Sequence, residues 1–188
     1  MKKEIEILWK LNDTRETAIK KLAGMEFIKE KEIVDYYFYD PMRKDLQPDK
    51  NMRLSKCLRV RVAKNGSSIT YKNDHFNAGV WLYSDEIESD TSDAKNIISI
   101  LEHLGFEKLI TVDVKKFYFR SGPYEIALEK VKGLGLYLEV EYHSQKEIAD
   151  VLAIKKKMRE FVVSRGFLIG AEENAGKPEL LLRKKIKK

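Results

Sequence analysis

One cysteine, Cys57, is all the thiol chemistry this 188-residue sequence offers. An internal disulfide is therefore excluded, and a lone thiol suits the reducing cytosol. No run approaches the roughly 20 consecutive apolar residues of a membrane span. The opening MKKEIEILWKL has too short an apolar stretch for a secretory signal, and acids interrupt it. A GxxxxGK[ST] phosphate loop is absent, and Gly133-Leu134-Gly135 lacks the further glycines and the helix of a dinucleotide loop, so it reads as a turn. His75, His103 and His143 show no zinc spacing. His143 shares a strand face with Glu139 and Glu141, where a contact to ligand and a plain surface role are both open. Cys57 has no evident base partner and reads as inert.

The net charge of +6 is not a property of the whole chain. The last six residues hold five basic side chains (Arg183, Lys184, Lys185, Lys187, Lys188) and no acid, so the rest is close to neutral. This favours one domain over residues 1–182, followed by a basic tail at 183–188, and disfavours a nucleic-acid binder.

What is present is alternation. Residues 3–11 put Ile5, Ile7, Trp9 and Leu11 on one side and Glu4, Glu6, Leu8 and Lys10 on the other, which is a strand. Leu58, Val60 and Val62 alternate with Arg59 and Arg61. Asn65-Gly66 then predicts a type I′ turn, and the return strand carries Thr70 and Lys72 on one face. Further strands read from Phe27 to Tyr39, over 80–88, from about Phe106 to Arg120, from Tyr124 to Val131 and from Leu136 to His143. Helices fit after Asp13, with Glu16 as a capping partner, and after Asp90 or Ser92. A third fits after a Ser144-x-x-Glu147 capping box, running to Gly166. Residues 41–55 form a long polar loop with the character of a lid. Strands that follow one another without intervening helices predict an α+β fold with a large antiparallel sheet.

The polar faces of these strands carry Glu4 and Glu6, Arg59 and Arg61, Lys72, Glu86 and Glu88, Lys115, Glu129, and Glu139 and Glu141. Three strands thus read Glu-x-Glu, with both carboxylates on one side about 7 Å apart. Each pair alone fits a solvated outer face. Several converging inside a barrel would instead offer oxygen ligands for Mg²⁺ or Mn²⁺, with arginine and lysine beside them for phosphate oxygens. Spacing leaves both readings open.

The ordered set Glu4-Ile-Glu6, Leu58-Arg59-Val-Arg61, Thr70-Tyr-Lys72, Glu86-Ile-Glu88, Leu128-Glu129-x-Val131-x-Gly133-Leu134-Gly135 and Leu138-Glu139-Val-Glu141 resembles the CYTH family. This is the triphosphate-tunnel superfamily of class IV adenylate cyclases and thiamine triphosphatases, and the likeness is nearest to its CyaB-like branch. The resemblance implies an eight-stranded antiparallel β-barrel with helices outside, whose interior binds a triphosphate and Mg²⁺ or Mn²⁺. It makes Arg59, Arg61 and Lys72 phosphate ligands. Glu4, Glu6, Glu139 and Glu141 become metal ligands or substrate-orienting carboxylates, with Glu86 and Glu88 adjoining and Glu129 in the place of a metal-associated aspartate. It implies an adenylate cyclase, with an inorganic or thiamine triphosphatase or a non-catalytic nucleotide-binding module as alternatives, and makes a homodimer reasonable. The sequence departs from the family pattern twice more. Leu8 stands where a lysine completes Glu-x-Glu-x-Lys, for which Lys10 on the same face is the expected substitute, and the Lys-x-Arg of the sixth strand reads as Asp113 and Lys115.

Overall fold

A computed structural model describes residues 2–144 and 150–186. Nine strands and four helices lie within them: β1 (Lys2–Leu11), α1 (Arg15–Lys21), β2 (Glu26–Tyr39), β3 (Lys56–Ala63), β4 (Gly66–Asn77), β5 (Val80–Thr91), α2 (Ala94–His103), β6 (Glu107–Ser121), β7 (Tyr124–Val131), β8 (Gly135–Tyr142), α3 (Val151–Ser164), β9 (Ile169–Glu173) and α4 (Lys177–Ile186). No helix among the described residues is long and apolar enough to cross a membrane.

Eight strands close into an antiparallel barrel in the order β5-β4-β3-β2-β6-β7-β8-β1, with β1 returning to β5. Closure is achieved by sharing one edge of β1. Its first residues pair with β5 (Lys2↔Glu86, Glu4↔Ser84), and its last pair with β9 (Leu8↔Glu173, Leu11↔Ile169). The other edge runs along β8 from Ile5↔Tyr142 to Lys10↔Tyr137. Closing the sheet removes the unpaired edges that an open sheet of this size would present.

The period-2 pattern sorts the side chains. Ile5, Ile7, Trp9, Phe117, Phe119, Ile126, Leu128, Leu138 and Val140 point outward and are buried under α1 and α3 with Leu22, Met158 and Val162. On the opposite flank Phe38 and Val60 pack beneath Ala94 and Leu101 of α2. The inward faces are polar except at one end. There Leu8, Ile33, Tyr37, Cys57, Val112, Val114, Val131 and Tyr137 meet Leu180, Leu181 and Leu182, so α4 stops that end of the barrel with apolar contact.

Local details depart from the sequence reading. Thr14, not Asp13, caps α1, its hydroxyl accepting from the Thr17 amide at 3.2 Å. Asp13 instead accepts from Lys21 and from the Leu168 amide at 2.8 Å, tying α1 to the segment before β9. Asp93 caps α2, accepting from the Asn96 amide at 2.9 Å. The β3–β4 turn is built on Lys64-Asn65, with Ala63 facing Gly66. Only Gly66 takes a positive φ (+127°), so the type I′ geometry does not form. The Ser144–Glu147 capping box lies largely outside the described residues; α3 begins at Val151 behind Asp150, which accepts from the Ala153 amide at 2.9 Å. Residues 41–55 are held down by buried Leu46 and Leu54, and the Leu54 amide donates to Glu179 of α4 at 2.8 Å. The boundary expected at residue 182 falls inside α4.

Candidate functional site

The barrel encloses a cavity of about 280 Å³, floored by Leu8, Tyr37, Leu54, Cys57 and Pro178 and walled by charge. Five cations line it: Arg59 and Arg61 from β3, Lys72 from β4, Lys116 from β6 and Lys177 from the first turn of α4. Ten carboxylates face them. Every cation is already engaged. Arg61 holds Asp35 of β2 in a two-pronged contact at 2.7 and 2.8 Å. Arg59 donates to Thr70 at 2.9 Å and to Glu88 at 3.3 Å, while its buried Nε has no hydrogen-bond partner among the described residues. Lys72 contacts Glu4, Glu86 at 2.7 Å and Glu6 at 3.6 Å. Lys116 bridges Glu129 and Glu139, and Lys177 reaches the same two carboxylates from the other side.

These pairings set the titration behaviour. Burial raises the Asp35 carboxyl, but the Arg61 fork outweighs it and holds the group at about 2. Burial likewise opposes ionisation of Glu4 and Glu139, and the lysines beside them prevail, so both lie below the usual carboxylate range. Glu6 goes the other way. Its burial, together with the charges of Glu4 and Glu139, outweighs Lys72 and pushes it up to about 8. Burial is the main cause of that rise, with the neighbouring carboxylates adding to it, and the hard oxygen donors gathered here are of the kind that Mg²⁺ or Mn²⁺ takes.

Of the residues singled out in the sequence, Glu4, Glu6, Arg59, Arg61, Lys72, Glu86, Glu88, Glu139 and Glu141 all line the cavity. Glu129 is fully buried between Lys116 and Lys177, behind that wall. Two residues must be corrected. Lys10 is exposed near the end of β1, beyond the charged interior, and so cannot stand in for the lysine missing at Leu8. Lys115 is on the outer face, paired with Glu30 and with Glu32 at 3.2 Å. The inward residue of β6 is Lys116, because Phe117 and Phe119 belong to the outer core. The sixth-strand motif is therefore Lys116-x-Tyr118: the lysine is kept and tyrosine occupies the arginine position. Asp113 is half-exposed and pairs with Lys132 at 3.3 Å.

Sequence reasoning missed Asp35, Lys116, Tyr118, Glu125 and Lys177. The alternation Ile33, Asp35, Tyr37 and the outward Phe117 and Phe119 carried a signal for the first three. Lys177 carried none, since it enters the barrel only through the docking of α4.

A CYTH domain family model matches residues 2–166. The chain belongs to the CYTH family. A protein of Methanocaldococcus jannaschii named a candidate adenylate cyclase is 29% identical over 161 residues, 85% of each chain. Among solved structures, the PH1819 protein of Pyrococcus horikoshii OT3 superposes with a TM-score of 0.80 at 24% identity, covering 96% of this chain and 99% of that one. An adenylyl cyclase candidate from Hippeastrum, described as having a dominant triphosphatase activity, superposes with a TM-score of 0.63 at 14% identity, covering 98% of this chain and 96% of its own. At these identities the structural likenesses establish the CYTH barrel fold alone.

Proposed function

We propose that this CYTH barrel binds a triphosphate together with Mg²⁺ or Mn²⁺ and hydrolyses its terminal phosphate. The observation that carries the reading is a charged tunnel closed at one end, with five cations along its wall and Leu180–Leu182 sealing the floor. A linear polyanion entering such a blind tunnel places its terminal phosphate deepest and leaves any organic group at the mouth. Arg59 and Arg61 present guanidinium forks matched to phosphate oxygens, and Lys72, Lys116 and Lys177 act as point charges. Carboxylates outnumber these cations two to one, so a bare polyanion is repelled and a divalent ion is needed to balance the site. Glu4, Glu6, Glu86, Glu139 and Glu141 would hold that ion, which when bound supplies charge neutralisation at the phosphate and activates water. With both bound, Lys72, Lys116 and Lys177 would exchange their carboxylate partners for phosphate oxygens, and the carboxylates so released would be free to hold the ion.

Adenylate cyclase chemistry, in which a ribose hydroxyl attacks the α-phosphate and pyrophosphate leaves, is the second reading, favoured by the similarity to the M. jannaschii protein. Product analysis separates the two. The chain is incubated with ATP, thiamine triphosphate or inorganic triphosphate and Mn²⁺. Released orthophosphate supports hydrolysis, cyclic AMP with pyrophosphate supports the cyclase, and binding without product supports a silent module. Arg59→Ala is expected to weaken triphosphate binding at least about tenfold, the loss of one charged hydrogen-bond donor, and Glu139→Ala to weaken its metal-dependent part. Triphosphate affinity unchanged in both variants sinks the reading.

A further inference from the structure

α4 enters the barrel by its first turn, and one carboxylate holds that turn in place. Glu179 reaches back to accept from the Gly176 amide just ahead of the helix, and its other oxygen accepts from the Leu54 amide at 2.8 Å. The first contact is the return half of a capping box, in which a glutamate at the third helical position satisfies an amide that the helix leaves unpaired. The second reaches back 125 residues along the chain, to the segment 41–55. The Leu180 amide donates to the Gly176 carbonyl at 3.1 Å and closes the turn. Inside that turn stands Lys177, whose ammonium lies 2.9 Å from Glu129 and contacts Glu139.

Burying a carboxylate opposes folding, and Glu179 is only 3% exposed, with no ion pair among the described residues. Burial pushes it up to about 7, Asp74 of β4 adds to the rise, and the two amides and Arg183 of α4 work against it. Cys57 of β3, a thiol that burial pushes up to about 12, also faces it and stays neutral. What the carboxylate supplies is two acceptors. Glutamine has one carbonyl oxygen, and its NH₂ group would set donor against donor at the second amide. Both segments clasped in this way line the cavity, one through Leu54 and the other through Lys177. A lysine ammonium rides on a flexible four-carbon stem, so where it points depends on how firmly the backbone beneath it is fixed.

We propose that Glu179 is a positioning residue: by clasping the Gly176 and Leu54 amides it fixes the first turn of α4 and so aims Lys177 at the phosphate chain. This role rests on the triphosphate reading of the tunnel.

The test is a double-mutant cycle on the full chain, with Glu179→Gln, Lys177→Met and the two together. Affinity is measured for methylene-bridged triphosphate, which resists hydrolysis, with Mg²⁺ at about pH 8.5, where Glu179 is ionised. Lys177→Met is expected to lose about tenfold. Glu179→Gln is expected to lose about fivefold in wild type and less than about twofold in Lys177→Met, where nothing is left to position. At about pH 6 the gap between wild type and Glu179→Gln is expected to close, because protonation of Glu179 removes the same acceptor. Glu6 and the ligand titrate in both proteins and cancel in that ratio. Melting curves report whether each variant is folded, and Glu179→Asp, a carboxylate one methylene short, enters the cycle if Glu179→Gln unfolds. An equal loss in both backgrounds, no loss in wild type, or a gap that acid does not narrow overturns the inference. Arg59→Ala separates it from the proposed function. If Arg59→Ala weakens binding and Lys177→Met does not, the positioning role alone falls; if neither does, the triphosphate reading falls with it.

Discussion

The interior of this barrel contains two regions of opposite chemistry. At the floor, Leu8, Val114, Val131 and Tyr137 pack against Leu180–Leu182 with no charge to satisfy. Above it, Glu129 and Lys116 are as thoroughly buried, at 0% and 4% exposure, and survive only because each has ionic partners. Burial stabilises the first region directly through apolar area removed from water. In the second, desolvation of each ion works against folding, and pairing offsets it. The floor therefore contributes stability, and the charged belt holds groups that, under the proposed function, would exchange partners with a triphosphate and a metal. α4 belongs to both, since its leucines seal the floor while Lys177 of the same helix enters the belt.

The comparison can be broken most severely at Lys116. Lys116→Met leaves buried Glu129 and Glu139 one cation short, and a loss of about 3–5 kcal/mol in denaturant unfolding is expected, along with triphosphate affinity. A change below about 1 kcal/mol would show that Lys177 alone suffices. At the floor, Leu8→Ala should cost about 3 kcal/mol by leaving a cavity under α4, while triphosphate and metal binding in the folded protein stay as in wild type. Lost binding there would mean that the two regions are not separable. Acid supplies a third test. The folded value of Asp35, about 2, lies below its usual 3.8, so its contribution is full above about pH 4 and fades as pH falls toward 2. That contribution is about 2 kcal/mol, and stability measured from pH 5 to pH 2 should fall less steeply in Asp35→Asn. The smallest effect belongs to Lys115→Ala. Its ammonium sits on the outer wall beside Glu30 and Glu32, so triphosphate affinity and melting temperature should not move. A Lys115 effect comparable to that of Lys116 would reverse the assignment of faces.

Those neighbouring lysines show where sequence reading succeeded and where it stopped. Strand existence was legible throughout the barrel, because alternation of Ile5, Ile7 and Trp9 with Glu4, Glu6 and Leu8 requires no tertiary information. On β6 the choice between Lys115 and Lys116 turns on one residue of register, and such a slip moves every side chain to the other face. Phe117 and Phe119 settle it once α1 covers them. Lys10 fails for a different reason: it has the right parity, but the charged interior ends before it does. β9 and α4 sit far along the chain from their partners on β1 and in the barrel floor, and no local pattern in 167–186 specifies that docking.

The sequence by itself determined the alternating strands, the glutamate and arginine pairs two residues apart, and the ordered motifs by which the family is recognised, because the period of a strand is a local property. Only the tertiary structure decided which face is the inside. It also brought Lys177 and Asp35 into the charged belt and set Glu179 against the amides of Leu54 and Gly176. Closure of a sheet and the docking of a distant helix are long-range events, and their energy lies in contacts between residues that are far apart along the chain.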